Sequence, residues 1–130
     1  MNGGLTVVLD SSALLALLHR EPGAGAVRRV LSTAAISSVN WSEVAQKSLE
    51  RGRPVGPLRA NLEEVGLEIA AFTVEEAEAA AGIYQATRSS GLSLGDRACL
   101  TLAQRLGAPA MTADRRWVDV HLGVEVRLIR

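Results

Sequence analysis

The sequence contains few of the residue types on which several common kinds of site depend. Its single cysteine, Cys99, cannot form an internal disulfide, and the two histidines form no cluster with it for structural zinc. Aromatic residues make up only 3% of the chain, which argues against a base-stacking platform built from several rings. The apolar stretch 5–9 is stopped by Asp10, and the longest later apolar run, 13–18, has six residues. We therefore expect no signal peptide, no membrane span and a cytoplasmic location.

The composition is typical of one folded domain without net charge. The chain has 130 residues, 48% of them hydrophobic, and its 14 basic residues balance 14 acidic ones. Such a chain is too apolar and too evenly charged to be disordered, and it is too short for two domains. We therefore predict a single domain over residues 1–130. The balance also gives no overall basic field of the kind that indicates a nucleic-acid-binding protein.

Strand-like and helix-like patterns alternate along the chain. The predicted strands are 5–9, 34–39, 67–72, 109–112 and 124–129. The predicted helices are 13–20, 24–32, 41–51, 54–66, 73–87 and 94–106. This alternation predicts an α/β fold: a three-layer sandwich in which helices flank a central, mostly parallel sheet of four to five strands.

Four carboxylates occupy equivalent places in this pattern. Asp10 and Asp114 end predicted strands, Glu43 lies in the first turn after the second strand, and Asp96 lies in the first turn of the helix that begins at residue 94. Because the carboxyl ends of parallel strands meet at one edge of a sheet, where ligands bind, we expect the four acids to converge there.

Each acid also has a purely structural interpretation. The segments 40–43 and 93–96 both fit a capping box, in which the third helical residue bonds back to the helix cap. The segment 73–76 shows the same pattern where no function is expected. Asp10 is also placed to cap the first helix, and Asp114 to begin a turn. Capping does not, however, require acids to follow three different strands.

Four carboxylates in one cleft require a cation. A like-charge pair about 4 Å apart costs on the order of 4 kcal/mol at an effective dielectric constant of 20. Oxygen ligands without histidine or cysteine favour a hard ion, so we expect Mg²⁺, with Mn²⁺ as the alternative. A water made more acidic by such an ion is a suitable nucleophile for phosphodiester hydrolysis. The residues leave open whether one ion binds or two.

Four blocks of the sequence resemble, in order, the motifs of PIN-domain proteins, and most closely those of the VapC-type toxin ribonucleases of type II toxin–antitoxin systems. They are VVLDSSALLA (7–16), SVNWSEV (38–44), LSLGDRACL (92–100) and MTADRRW (111–117). The resemblance implies a Mg²⁺-dependent endoribonuclease that is neutralised by a cognate VapB-type antitoxin and is usually a homodimer. It also implies that a groove between helices takes the antitoxin's C-terminal segment.

The resemblance further implies a role for each motif residue. Asp10 and Asp96 match the principal metal ligands, Glu43 the acid that supports the metal and the attacking water, and Asp114 the fourth acid. Asp119 remains an alternative to Asp114, because a different helix phase would exchange them. The supporting hydroxyl groups match Ser11 or Ser12, and Thr112 beside the fourth acid.

Arginines are the candidate substrate contacts, since a guanidinium group matches phosphate oxygens. Arg97, next to Asp96, is expected either to meet a phosphate or to pair with a site carboxylate. Arg115 and Arg116 are further candidates for binding RNA. The sequence does not indicate which RNA is cleaved, because selectivity depends on loop shape and surface charge.

Other functions fit the sequence less well. A phosphorelay receiver needs a lysine late in the chain, and the only lysine is Lys47. A haloacid-dehalogenase-type phosphatase needs a second aspartate at position 12, which is a serine. The remaining alternative is a PIN-like module that only binds or acts as a scaffold. Its expected signature is the loss of one or more acids, and all four are present.

Overall fold

A computed structural model describes residues 4–130 of the chain. Residues 1–3, which belong to the predicted domain 1–130, lie outside the described residues. The strands are β1 (Val7–Leu9), β2 (Ala34–Ser37), β3 (Glu68–Ala70), β4 (Ala110–Thr112) and β5 (Val126–Leu128). The helices are α1 (Ser11–Leu18), α2 (Ala24–Val30), α3 (Ser38–Glu50), α4 (Val55–Val65), α5 (Val74–Gly82), α6 (Tyr84–Thr87) and α7 (Leu94–Leu106).

The five strands form one parallel sheet in the order β3-β2-β1-β4-β5. In the centre, Leu9 of β1 pairs with Ile36 of β2 on one side and with Met111 of β4 on the other. After β1 the chain builds the sheet in one direction, and with β4 it continues on the other side of β1. This reversal opens a crevice at the carboxyl ends of β1 and β4, where parallel α/β proteins bind ligands.

Helices cover both faces of the sheet. Every residue of β1 is apolar, and the two helix layers bury all of them fully. Val7 and Leu9 pack into a core with α1, α2, α3 and α4, whereas Val8 packs on the opposite face with α7. Such runs without a polar face are typical of parallel strands covered on both sides. The predicted three-layer α/β sandwich is confirmed, and all five strands are parallel.

Helix α7 lies directly behind the central strands and has the bounds that the sequence predicts. Its buried side includes Cys99, Leu100 and Leu102. The helix ends at Gly107, which has a φ of 63°, a left-handed conformation that glycine adopts without steric cost.

Most elements differ from their predicted bounds by one to three residues at an end, and two of the differences have a clear local cause. Strand β2 ends at Ser37 rather than at residue 39, because the Ser37 hydroxyl caps α3 by accepting a hydrogen bond from the Val39 amide at 3.2 Å. The predicted helix 73–87 is divided at Ile83 into α5 and α6, directly after Gly82, a residue type that weakens helices. None of the helices within residues 4–130 is long and apolar enough to cross a membrane.

The turn after β4 is anchored by a tryptophan. A short 3-10 helix, Arg115–Asp119, follows Asp114, and its Trp117 side chain is fully buried in the core beside α7. This burial fixes the backbone of the turn, whereas Arg115 and Arg116, the first two residues of the 3-10 helix, are exposed.

Candidate active site

Asp10 follows β1 directly and is almost completely buried, at 3% exposure. Its Oδ1 atom accepts a hydrogen bond from the Ala13 amide at 2.8 Å, so the residue caps α1 as predicted. The Ser12 hydroxyl donates to both carboxylate oxygens, at 2.7 and 2.9 Å, and the Thr112 hydroxyl donates to Oδ2 at 2.6 Å. The carboxylate is therefore held in one orientation by groups from β4 and α1.

The environment of Asp10 disfavours its negative charge. Burial raises its pKa from the ordinary 3.8 to about 6, against the opposing effect of the hydrogen bonds from Thr112, Ala13 and Ser12. The nearby charge of Asp96 raises the pKa further. Within residues 4–130, Asp10 forms no ion pair that would compensate its charge. A cation beside Asp10 would therefore stabilise the ionised form.

The supporting hydroxyl groups also connect β1 to β4. The Ser12 hydroxyl accepts a hydrogen bond from the Ala113 amide at 2.9 Å, and the Thr112 hydroxyl accepts one from the Asp114 amide at 2.9 Å. Of the two serines left open by the sequence, Ser12 makes the contacts to Asp10. The hydroxyl network thus fixes the backbone that carries Asp114 relative to Asp10.

Asp96 lies in the first turn of α7 and forms a complete capping box. Its Oδ2 atom accepts a hydrogen bond from the Ser93 amide at 2.9 Å, and its own amide donates to the Ser93 hydroxyl at 3.1 Å. The capping interpretation of segment 93–96 is confirmed. Capping occupies one edge of the carboxylate, so it does not exclude a second role for Asp96.

Glu43 reaches the same region from α3, although its predicted capping box is wrong. Asn40 is the third residue of α3 rather than its cap, because the helix begins at Ser38, so Glu43 lies in the second turn. The buried Asn40 amide group donates to Glu43 Oε1 at 3.3 Å and to the Gly95 carbonyl oxygen at 3.0 Å. Asn40 therefore holds the Glu43 side chain against the start of α7.

Gly95 makes this approach possible. A Cβ atom at this position would lie 2.7 Å from Glu43 Oε1, closer than any real contact. Neither Asn40 nor Gly95 is predicted as a site residue from the sequence. The available signal was a polar residue one helical turn before Glu43, together with a glycine in the first turn of the predicted helix 94–106.

Asp114 ends the connection from β4 and forms a forked ion pair with Arg116. Arg116 Nη2 lies 2.6 Å from Asp114 Oδ2, and Arg116 Nε lies 3.1 Å from each carboxylate oxygen. The same Nη2 atom lies 3.9 Å from Oδ2 of Asp96. The hydrogen bonds and charge of Arg116 hold the pKa of Asp114 below its ordinary value. The exposed Asp119, at the far end of the turn, makes none of these contacts.

The other candidate arginines lie differently. Arg97 is directed away from the carboxylates: its Nη1 atom donates to the Ala80 carbonyl oxygen at 2.8 Å, and its guanidinium carbon lies 5.3 Å from the centre of the Tyr84 ring. Among the ion pairs of residues 4–130 none joins Arg97 to a site carboxylate, and its expected contact with a phosphate stays a prediction. Arg115 is exposed to solvent.

The buried Cys99 thiol lies within electrostatic range of three of the acids. Burial raises its pKa, and the charges of Asp10, Asp96 and Glu43 raise it further. The fourth acid, Asp114, is joined to the same group through the contact of Arg116 with Asp96. A thiol in this environment stays protonated, so Cys99 is no nucleophile.

The donor set suits a hard divalent ion, because all the side chains offer oxygen and the carboxylate of Asp10 has no compensating cation. In the arrangement described for residues 4–130, however, no group of three or more Asp, Glu, His or Cys side chains is close enough together to hold a metal ion. Two of the carboxylates instead share the guanidinium group of Arg116. The donor atoms of these residues are therefore suitable for a metal ion, but their side chains would have to rearrange to bind one.

Comparison with known proteins identifies the family. The profile of the PIN domain matches residues 7–121. The chain therefore belongs to the PIN domain family, as its motifs indicate. Comparison with curated protein sequences gives no match.

Solved structures share the fold over nearly the whole chain. A toxin–antitoxin complex from Klebsiella pneumoniae contains a chain that is 21% identical, with a TM-score of 0.74 and coverage of 92% of this chain and 95% of that one. For DNA-bound VapBC from Salmonella typhimurium the values are 18%, 0.72, 97% and 99%. For FitAcB from Neisseria gonorrhoeae they are 18%, 0.63, 95% and 98%.

Proposed function

We propose that this chain is a divalent-metal-dependent endoribonuclease and the toxin component of a toxin–antitoxin pair. The observation that supports this most directly is Asp10, a buried carboxylate that has no compensating cation within residues 4–130 and lies within electrostatic range of Asp96, at the carboxyl edge of a parallel sheet. Membership of the PIN domain family and the similarity to chains of toxin–antitoxin complexes support the same function.

In this proposal Asp10 and Asp96 would hold the ion, with support from Glu43 and Asp114. When bound, Mg²⁺ or Mn²⁺ acidifies water and offsets the charge of the phosphodiester. Glu43, oriented by Asn40, accepts a proton from the attacking water. Water oxygen bonds to phosphorus as the bond from phosphorus to the 3′ oxygen breaks. The 3′ oxygen takes up a proton, which leaves a 5′-phosphate and a 3′-hydroxyl end.

Arginines near the site would bind the RNA backbone. Without the four site acids, the remaining charges are 14 basic and 10 acidic residues, so the surface outside the site is mildly basic. Exposed Arg115 and Arg116 lie directly after Asp114. Contacts to phosphates position RNA without specifying its sequence.

An apolar cleft is our candidate for the antitoxin contact. It is lined by Leu15 and Leu18 of α1, Val44 of α3 and Leu58 of α4, with Arg53 at its rim. A neighbouring cleft continues from Leu15 to Ser12, which contacts Asp10. An apolar peptide segment in the cleft would thus lead towards the acidic site. The proposal includes a homodimer, as the resemblance to VapC-type toxins implies, and a cytoplasmic location, as the short apolar runs of the sequence indicate.

The decisive experiment is cleavage of total cellular RNA by the purified protein in Mg²⁺ or Mn²⁺, with EDTA as control. The variants Asp10→Asn and Asp114→Asn are expected to lose most of the activity, and Asp119→Asn to retain it, since residue 119 lies outside the carboxylate group. Mapping the ends of discrete products would identify the RNA and the bond cleaved. Full activity of Asp10→Asn would contradict the assignment of the site.

The same variants test the proposed biological role. Expression of the wild-type chain is expected to arrest bacterial growth, whereas expression of Asp10→Asn is not. The second candidate function is a PIN module that binds without catalysis. It is favoured by the arrangement of residues 4–130, in which no three acids lie close enough together to hold a metal ion. Absence of cleavage by folded protein with either ion would support that alternative.

A further inference from the structure

We propose that Arg116 occupies the cation position between Asp96 and Asp114 in the metal-free protein, and that a divalent ion binds there in exchange for this guanidinium group. The inference deepens the proposed function and rests on it, because it assumes that the carboxylates bind a metal ion. It assigns Arg116 a role in the metal-free state in place of a role limited to RNA contact.

Arg116 makes the contacts expected of a built-in cation. Two of its nitrogens form a fork on the Asp114 carboxylate, and one of them also approaches Asp96. Among residues 4–130, Arg116 is the only basic residue that forms an ion pair with any of the four acids. One positive group thus joins two acids from separate elements, α7 and the turn after β4.

The loop before α7 is shaped around the same guanidinium group. Arg116 Nη1 donates to the Gly91 carbonyl oxygen at 3.1 Å, and a Cβ atom at Gly91 would lie only 3.0 Å from Nη1. Gly91 also has a φ of 70°, which disfavours a larger residue. This contact, on a third segment of chain, makes the position of Arg116 a specific one.

The exchange requires movement of a side chain and not of the backbone. The buried Trp117 fixes the turn, whereas the Arg116 side chain is 55% exposed and has a free path to solvent. A divalent ion carries twice the charge of the guanidinium group and would attract Asp10 as well. Release of Arg116 would free the carboxylates of Asp96 and Asp114 to turn towards the ion, which binding requires because no three of the described acids lie close enough together to hold one.

The test is direct titration of Mn²⁺ by calorimetry into the wild type, Arg116→Gln and a matched control, Arg127→Gln. Arg127 pairs with Glu125 on the surface at 2.7 Å, so its substitution removes the same charge and a similar ion pair elsewhere. We expect Arg116→Gln to bind Mn²⁺ about 3- to 10-fold more tightly than the wild type, the range of a partly exposed forked ion pair. Arg127→Gln is expected to bind like the wild type.

Two other results of the titration are distinguishable. Equal Mn²⁺ affinity of the wild type and Arg116→Gln, with both proteins folded, would overturn the exchange and leave the proposed metal site intact. If neither the wild type nor Arg116→Gln bound Mn²⁺, the proposed function and the exchange would both be wrong. Tighter binding by both arginine variants would also overturn the exchange, since overall charge would then explain the effect.

A second measurement uses the unmodified chain. In nitrogen-15 spectra in EDTA, the Nε hydrogen of Arg116 should exchange slowly with solvent, because the Nε–H group donates a hydrogen bond to Asp114. Addition of Mg²⁺ is expected to abolish this protection, while the Nε–H signal of Arg127 stays unchanged. Persistence of the Arg116 protection at saturating Mg²⁺ would refute the exchange without any substitution.

Discussion

The charge of Asp10 should lower the unfolding free energy of the metal-free protein at neutral pH, and Asp10→Asn should remove this destabilisation. A pKa raised from 3.8 to about 6 in the folded state corresponds to about 3 kcal/mol of unfolding free energy. At a pH below 3.8 the carboxyl group is protonated in both the folded and the unfolded state, and Asp10 carries no penalty. As the pH rises from 3.8 to about 6, only the folded state still holds the proton, so the unfolding free energy falls. Above about pH 6 the loss stays constant.

The assay is urea unfolding of the wild type and of Asp10→Asn in EDTA at several values between pH 4 and pH 8. The difference between the two proteins isolates this residue, because all other titrating groups are shared. We expect the variant to gain on the wild type by up to about 3 kcal/mol across that range. The substitution also weakens the hydrogen bonds from Ser12 and Thr112, because a neutral amide replaces the carboxylate. The net gain in unfolding free energy is therefore smaller than the electrostatic gain alone.

Metal ions should reverse the order of stability. Mn²⁺ at pH 7.5 is expected to raise the unfolding free energy of the wild type, since it binds only the folded state, and to leave Asp10→Asn unchanged. A variant that loses stability relative to the wild type as the pH rises from 4 to 8 in EDTA would refute the reasoning. That result would mean that the hydrogen bonds outweigh the cost of burying the charge.

The remaining predictions concern residues that support the site. Gly95→Ala should fold normally but lose about 10- to 100-fold in RNA cleavage, because its Cβ atom displaces the flexible end of Glu43, as kinetic assays would measure. Trp117→Ala should lower the unfolding free energy by about 3–5 kcal/mol in urea, since it empties a fully buried site. Ser12→Ala should cost about 1–3 kcal/mol in the same assay, because it removes a hydrogen bond to the Asp10 carboxylate.

Matched substitutions exist for two of these variants. Gly56→Ala places a Cβ atom on α4 with no neighbour within 4 Å, so it should leave cleavage unchanged. Ser11→Ala alters the adjacent serine, which makes no hydrogen bond to Asp10. Equal loss of activity in both glycine variants, or equal loss of stability in both serine variants, would contradict the structural explanation.

The position of the acids could be predicted because it depends on the backbone alone. A short apolar strand followed by Asp10 and a helix defines the carboxyl edge of a parallel sheet. The bounds of α7 were also predictable, since a capping serine at its start and Gly107 at its end are strong local signals. These features required no knowledge of contacts between distant residues.

The side-chain partners could not be predicted, because tertiary contacts select them. The sequence pattern predicts a cap at residue 40 for α3, whereas the structure uses Ser37, which moves Asn40 into the helix and towards Gly95. Arg97 and Arg116 are both close in sequence to a site acid. Only the packing of α5 beside α7 directs Arg97 to Ala80, whereas the turn after β4 directs Arg116 to Asp114.

The two hydroxyl groups between β1 and β4 have a thermodynamic consequence for ligand binding. Ser12 and Thr112 each donate a hydrogen bond to Asp10. Each also accepts a hydrogen bond from a backbone amide, Ser12 from residue 113 and Thr112 from residue 114. The Asp10 side chain therefore loses its rotational freedom when the protein folds, before any ligand arrives. Binding at this carboxylate then avoids a later ordering cost, a form of preorganisation that favours affinity.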